Sequence, residues 1–209
     1  MFQDADRLVT TLSDIKSRPI YAGLKVDDMA RRHLVAAEGE GALAVIEAFS
    51  RAPDALDRTT ILYCPAGSAA MGHDTALADL NPDVFHLAPS PQTLLVRLNV
   101  MLSTATMGTR LYATGTEGFI GAVIAAALPF GVDHHSIYTE HRGSLARRVQ
   151  CVHCKGMTEN VTATPFTCSH CGLTLFVRDH YSRRLGAFQG VCVDAEEPGV
   201  IPPVEELYK

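Results

Sequence analysis

Two pairs of cysteines in this chain have the spacing expected of metal ligands. Cys151 and Cys154 form the first C-x2-C pair, Cys168 and Cys171 form the second, and thirteen residues separate the pairs. Four thiolates match a tetrahedral metal site in ligand type and number, and the short turn within each pair lets both sulfurs face one centre. The alternative is two disulfides or four unrelated thiols. We predict that the four cysteines bind one metal ion.

The ligand type leaves the identity of that metal open between zinc and iron. Zinc is redox-inert and would hold the local fold and present a surface, whereas iron in the same four-sulfur cage could pass one electron. Rubredoxin-type iron sites surround their sulfurs with apolar side chains, but here His153 and His170 lie inside the cysteine pairs. We therefore expect Zn²⁺, with rubredoxin-like iron as the alternative, and we expect neither histidine to be a ligand.

The composition indicates a globular chain with room for one large and one small domain. The chain has 209 residues, 47% of them hydrophobic, and a formal net charge of −5. The N-terminal stretch lacks an apolar signal core, and the longest apolar run, Phe119–Val132, is too short to span a bilayer. We therefore expect a cytoplasmic protein without a membrane partner, in which cysteine pairs favour metal over disulfides. The remaining thiols, Cys64 and Cys192, are interpreted as buried apolar residues.

An alternation of strand-like and helix-like segments precedes the cysteines. Short apolar runs predict strands at residues 33–37, 60–64, 83–87, 110–113 and 136–140. Apolar residues at helical spacing follow the first, third and fourth runs. Strands alternating with amphipathic helices predict a parallel sheet covered on both faces, which is an α/β fold.

Around the cysteines, β-prone segments at Val161–Thr164 and Leu173–Val177 predict a small zinc-ribbon or rubredoxin-like domain. The expected division of the chain is an α/β domain with an N-terminal lead-in over residues 1–146, the four-cysteine domain over 147–193, and an extended acidic tail over 194–209. Residues 141–190 carry seven basic and two acidic side chains. This charge would permit nucleic-acid binding, but the count is low and aromatic residues are sparse, so a protein partner with an acidic face is favoured.

The α/β part resembles the nicotinamide-binding half of the ferredoxin-reductase superfamily in the order of its segments. The corresponding stretches are His33–Phe49, Thr60–Gly67, Gly108–Leu128 and Ser136–Arg142. The resemblance implies a dinucleotide site at the ends of the strands. Its candidate cofactor-binding residues in this chain are Gly39, Gly41 and Gly115.

Departures from that family predict that the dinucleotide site is degenerate. Glu38 and Glu40 place negative charges in the loop where a pyrophosphate would dock. At an effective dielectric of about 20, each like-charge pair ~4 Å apart costs on the order of 4 kcal/mol. That cost is about half the free energy of micromolar binding, which is about 8 kcal/mol. The family's cysteine and proline are also absent from the turn Ala113–Thr116, and there is no room before the α/β part for a flavin-binding barrel.

The stretch from Cys168 to Val191 resembles the C-terminal domain of the small subunit of bacterial dimethylamine monooxygenase. The resemblance extends to the reductase-like half and implies a subunit of a heteromeric complex. Such a complex demethylates dimethylamine to methylamine and formaldehyde with O2 and NADPH, and haem, flavin and NADPH are expected on the larger partner subunits. We predict an accessory, non-catalytic role that bridges or stabilises the haem and flavin subunits, and the sequence offers no catalytic residues.

A compact polar cluster could contact such a partner. It consists of Arg178, His180, Arg183 and Arg184, whose guanidinium groups can hold an acidic surface or a haem propionate through two hydrogen bonds each. The alternative for this cluster is a solvated hairpin with Asp179 paired to an arginine. Two other functions stay open at this point: an electron-transfer component with rubredoxin-like iron and an NADPH site, and a zinc-ribbon module that binds nucleic acid.

Overall fold

The computed structural model describes residues 17–67 and 71–208, and these form two compact units. The α/β unit runs from Tyr21 to Ser144. The small unit runs from Leu145 to the C-terminus and includes the N-terminal stretch that ends at Ile20, of which residues 17–20 are described. Among the described residues, no helix is both long and apolar enough to cross a bilayer.

The described residues of the α/β unit form five strands and four α-helices. The strands are β1 Arg32–Glu38, β2 Thr59–Cys64, β3 Val84–Leu87, β4 Thr109–Gly115 and β5 Ile137–His141. The helices are α1 Gly41–Phe49, α2 His73–Ala78, α3 Pro91–Ser103 and α4 Glu117–Ala127. Short 3-10 helices lie at Pro53–Arg58, Leu128–Phe130 and His134–Ser136.

The five strands form one parallel sheet in the order β3-β2-β1-β4-β5. Side chains of α3 and α4 form an apolar core on one face, and side chains of α1 and α2 form the core on the other. The central strands are apolar on both faces because both faces are covered, and every residue of β2 is buried. The predicted α/β fold with a parallel sheet is confirmed, as are its five strands.

One helix differs from the sequence prediction. Helix α2 was not predicted, because six residues with only His73 and Leu77 buried give no clear helical period. Helix α3 follows the third strand, as predicted, and begins at Pro91. The Ser90 hydroxyl caps it by accepting a hydrogen bond from the Thr93 N–H at 3.2 Å.

The small unit is built almost entirely of strands. They are β6 Arg147–Cys151, β7 Met157–Val161, β8 Ala163–Thr164, β9 Phe166–Thr167, β10 Thr174–Ser182, β11 Ala187–Cys192 and β12 Glu205–Glu206. Five of them form a mixed sheet in the order β7-β6-β11-β10-β9, in which β6 and β11 are parallel. Strand β12, near the C-terminus, pairs with β8, and Tyr208 packs beside Val149, Val161, Val177 and Phe188. The last residues of the chain therefore contribute to the core of this unit.

A buried histidine lies at the start of β1. One ring nitrogen of His33 (Nδ1) is 3.0 Å from the Tyr112 hydroxyl, the Phe49 ring stands edge-on at 5.8 Å, and Nε2 has no hydrogen-bond partner among the described residues. Burial and then the positive charge of Arg58 lower the pKa of His33 from 6.5 to about 4. The folded α/β unit thus holds His33 neutral under conditions in which the unfolded chain would protonate it.

We expect this histidine to make the α/β unit acid-sensitive. Because the folded pKa is depressed, the stabilisation is present in full above pH 6.5 and is lost as the pH falls towards 4. The loss by pH 5 should be about 2 kcal/mol. Hydrogen exchange of the α/β unit at pH 7.5 and pH 5, corrected for intrinsic rates, measures it. His33→Gln should flatten this dependence, whereas His135→Gln, at an exposed site, should not. An unchanged pH dependence in His33→Gln would contradict the assignment.

Candidate functional site

The four predicted metal ligands come together in the small unit. Their sulfur atoms all lie within 4.8 Å of one another, with Cys151–Cys171 at 3.9 Å and Cys154–Cys168 at 3.8 Å. A tetrahedral ion with metal–sulfur bonds of about 2.3 Å needs sulfurs about 3.8 Å apart. All six cysteines of the chain are free thiols. The arrangement fits one tetrahedral ion, and it does not fit two disulfides.

Electrostatics at the cluster favour a bound cation. Burial raises the pKa of Cys168, but hydrogen bonds from the N–H groups of Cys171 and His170 outweigh it, and the pKa falls to about 6. At Cys171 a hydrogen bond from the Leu173 N–H lowers the pKa, but burial and the neighbouring sulfurs raise it to about 12. Four thiolates so close together repel one another, so a divalent ion is needed to keep all four deprotonated.

The turns after the two cysteine pairs differ in how they are built. In the second, Gly172 has a φ of 74°, as its glycine predicts. In the first turn, Lys155 is the residue with the positive φ, of 62°. Gly156 is instead needed for the close approach of the His170 ring. A Cβ at Gly156 would lie 2.5 Å from the ring of His170, so only glycine permits this contact.

The two histidines in the cysteine pairs are not among the clustered ligand atoms of the described residues. The His170 Nε2–H donates to the Met157 carbonyl at 2.7 Å, and His153 is exposed. This hydrogen bond holds the His170 ring away from the sulfurs. That the four sulfurs alone bind the ion stays a prediction.

The three glycines predicted to bind a cofactor lie where β1 and β4 end. This is the switch point of the parallel sheet, the usual place for a nucleotide crevice. A Cβ at Gly41 would lie 2.5 Å from the backbone of Thr114, and one at Gly115, with φ 139°, would lie 2.9 Å from Glu38. These two glycines are therefore required by contacts within the chain, and Gly39, with φ 52°, forms the turn before α1.

A carboxylate of the α/β unit itself lies at this switch point. The Glu38 carboxylate accepts hydrogen bonds from the Thr116 hydroxyl at 2.7 Å and from its N–H at 3.4 Å, at the N-terminus of α4. An anion is thus already present where the N-terminus of a helix would bind a phosphate. Glu40 is exposed at the start of α1.

A strap formed by residues 21–24 lies against the neighbouring strand ends. The Tyr21 hydroxyl lies 3.1 Å from Glu117, and its ring lies 5.8 Å from His141. The Leu24 N–H donates to Glu140 at 2.8 Å. This strap therefore contacts the carboxyl end of β5 and the start of α4.

The predicted docking cluster lies on β10 and the turn that follows it. Arg183 and Arg184 are exposed in the turn, His180 is exposed, and Arg178 is partly buried. Within the chain described by the structure, none of these three arginines forms an ion pair. His180, Arg183 and Arg184 are thus accessible, as docking would require, and Arg178 is less so.

Asp179, within the same stretch, forms ion pairs with two arginines from outside the cluster. It pairs with Arg18 at 2.7 Å and with Arg147 at 2.8 Å. The guanidinium of Arg147 lies 4.0 Å from the ring centres of both Phe188 and Tyr208. Burial tends to raise the pKa of Asp179, but the two arginines outweigh it and lower the pKa. The pairing of Asp179 with an arginine, one of the two interpretations of this stretch, is present.

The other two thiols behave differently from each other. Cys64 is fully buried at the end of β2, and burial raises its pKa, as expected for an apolar core position. The interpretation of Cys192 as a buried apolar residue is wrong. Cys192 is only partly buried, and its thiol donates to the Asp194 carboxylate at 3.0 Å.

These observations define a class: a two-unit protein with a parallel α/β unit, in which the Glu38 carboxylate binds the N-terminus of α4, and a small β unit with a four-cysteine cluster. The model for the dimethylamine monooxygenase subunit DmmA-like N-terminal domain matches residues 13–137, and the model for the corresponding C-terminal domain matches residues 148–191. The chain belongs to this DmmA-like family. The resemblance found in the sequence is confirmed.

A curated relative supports the same assignment. The heme-dependent oxidative N-demethylase delta subunit of Ectopseudomonas mendocina (strain ymp) is 38% identical over 125 residues, which cover 57% of this chain and 71% of the relative. The relative is therefore a subunit of an oxidative N-demethylase.

Solved structures with a similar fold are more distant. An intact type IV self-sufficient cytochrome P450 monooxygenase has a TM-score of 0.42 at 17% identity. The match covers 78% of this chain and 21% of the P450 chain. The FAD/NAD-binding domain of nitric oxide dioxygenase from Vibrio cholerae has a TM-score of 0.39 at 18% identity. The match covers 60% of this chain and 56% of the dioxygenase domain. The chain thus spans about a fifth of the first protein and just over half of the second.

Proposed function

We propose that this protein is an accessory subunit of a heteromeric dimethylamine monooxygenase that binds no substrate itself. The DmmA-like family and the N-demethylase delta subunit support the assembly. The observation that carries the accessory role is the Glu38 carboxylate at the N-terminus of α4, where the reductase family would bind a phosphate; the strap of residues 21–24 contacts the neighbouring strand end. Haem, flavin and NADPH would then bind to larger partner subunits, in the cytoplasm.

In this proposal the four cysteines hold Zn²⁺ and the ion fixes the fold of the small unit. Zinc fits the closed set of four sulfurs and the polar surroundings given by His153, Lys155 and His170. The basic cluster of Arg178, His180, Arg183 and Arg184 would contact an acidic surface of a partner. Two observations support this contact. His180, Arg183 and Arg184 are exposed, and the three arginines of the cluster form no ion pair with other described residues.

The rival function is electron transfer through iron in the same site. Its supporting observation is the exposure of Cys154, which would bring one sulfur within reach of a redox partner. The absorption spectrum distinguishes the two, because oxidised iron bound to four thiolates is strongly coloured and zinc is colourless.

The test is co-purification of the tagged chain with co-expressed candidate haem and flavin subunits of the N-demethylase from the same organism. We expect a stable complex, one equivalent of zinc, no visible absorbance from the isolated chain, and no NADPH binding by calorimetry at concentrations up to about 100 μM. A chain that remains alone at micromolar concentration would refute the accessory role. Micromolar NADPH binding together with iron colour would favour the electron-transfer alternative.

A further inference from the structure

A short stretch near the C-terminus exposes several large apolar side chains. Val200, Ile201, Val204 and Leu207 lie within eight residues and are 53–66% exposed. None of them belongs to the apolar cores of the described residues, although the next residue, Tyr208, does. An apolar stretch of this kind marks an interaction site more often than a free surface.

The stretch is held at both of its ends. Before it, the Gly199 N–H donates to Asp194 at 3.2 Å, and the Val200 N–H donates to Glu197 at 3.1 Å. After it, β12 pairs with β8, and the N–H of Tyr208 donates to Thr162 at 2.9 Å. The segment between these anchors is therefore presented in a defined position, and little conformational freedom is lost when a partner binds it.

The sequence of the segment indicates how it would be recognised. Pro202 and Pro203 lack N–H groups and favour an extended backbone, which apolar and aromatic grooves bind in other proteins. Exposed carboxylates border the apolar side chains: Glu196 and Glu197 before them and Glu205 after them. The complementary surface is an apolar groove with lysine or arginine at its rim.

We propose that residues 200–207 are the segment through which this chain docks into a partner subunit of the N-demethylase, in an apolar groove with a basic rim. The proposal rests on the proposed function, since that function supplies the partner. It assigns the acidic tail a binding role that is separate from the metal site and from the basic cluster at Arg183 and Arg184.

The test compares two sets of aspartate substitutions in the full-length chain. Val200→Asp, Ile201→Asp and Val204→Asp together should weaken binding to the partner subunits more than tenfold by interferometry. Val96→Asp with Val100→Asp is the matched control, because these valines are 65% and 60% exposed on α3. The control should leave the affinity within about twofold. Zinc content and the melting curve should stay unchanged in both. If the triple variant loses zinc, Ile201→Ser with Val204→Ser replaces it.

The outcomes separate this proposal from the function on which it rests. If the natural chain does not bind the partner subunits, the proposed function fails. If it binds and the triple variant binds equally well, only the docking segment is refuted. Loss of binding in the α3 variant alone would place the contact on the α/β unit. A homodimer of the natural chain that the triple variant abolishes would identify a second copy as the occupant and overturn the proposal.

Discussion

Replacing Cys151 and Cys168 together with serine is expected to abolish metal binding and unfold the small unit while the α/β unit stays folded. These are the two buried members of the cluster. Binding of a structural zinc ion supplies about 10–16 kcal/mol at neutral pH, and this free energy is also folding free energy. The apolar clusters of the small unit are small, so they cannot replace that contribution.

The measurements are metal content by mass spectrometry and hydrogen exchange of both units. Cys192→Ser is the matched control, because Cys192 lies in the same unit, outside the cluster, and serine can keep the hydrogen bond to Asp194. Cys192→Ser should retain one equivalent of zinc, and its backbone amides should stay as protected from hydrogen exchange as in the natural chain. A strong chelator should reproduce the effect of the double substitution in the natural chain. One equivalent of metal in the double variant, or undiminished protection of β6 and β10, would contradict the assignment.

The cysteine cluster was predictable because residues close together in the sequence define each half of it. Each C-x2-C turn brings two sulfurs together by its own geometry, so only the meeting of two turns had to be inferred. The parallel sheet was predictable for a similar reason: strands buried on both faces are continuous apolar runs, as in Thr59–Cys64. The positive φ of Lys155 could not be predicted, because glycine is the residue that favours this conformation and nothing in a lysine indicates it.

Contacts between distant parts of the chain could not be predicted. Glu38 was identified as a charge that would repel a phosphate, but its hydrogen bond to Thr116 joins residues 78 positions apart. The strap residue Leu24 meets Glu140 across 116 positions. No periodic pattern marks either contact. The sequence therefore identified the Glu38 charge, and the structure supplies the partner that it binds; the loss of dinucleotide binding stays a prediction.

Burial of an arginine is the largest departure from what composition suggests. Arg147 was counted with the basic surface of the cysteine domain, yet its side chain is only 5% exposed. A buried charge costs several kcal/mol unless it is paired and hydrogen-bonded. Here the carboxylate of Asp179 neutralises it, and the rings of Phe188 and Tyr208 lie on its guanidinium at 4.0 Å. The pair joins β6, β10 and the C-terminus into one core.

We therefore expect Asp179→Asn to destabilise the small unit by about 3 kcal/mol or more, because it leaves the Arg147 charge buried without a partner. Glu159→Gln is the matched control. Glu159 pairs with Arg148 at 3.0 Å but is 56% exposed, so its loss should cost less than about 1 kcal/mol. Urea unfolding of the zinc-loaded protein, monitored by hydrogen exchange of β10 and β11, measures the free energy of unfolding of both variants.

A second substitution shows whether Asp179→Asn destabilises the small unit by leaving the Arg147 charge unpaired or by disrupting other contacts. Combining Asp179→Asn with Arg147→Met removes both members of the pair and keeps an apolar chain between the two aromatic rings. The double variant should be more stable than Asp179→Asn alone, since no uncompensated charge remains buried. Arg18, the other partner of Asp179, is exposed and loses little when the carboxylate is removed. If the double variant is no more stable than the single one, Asp179 stabilises the small unit through contacts other than its charge.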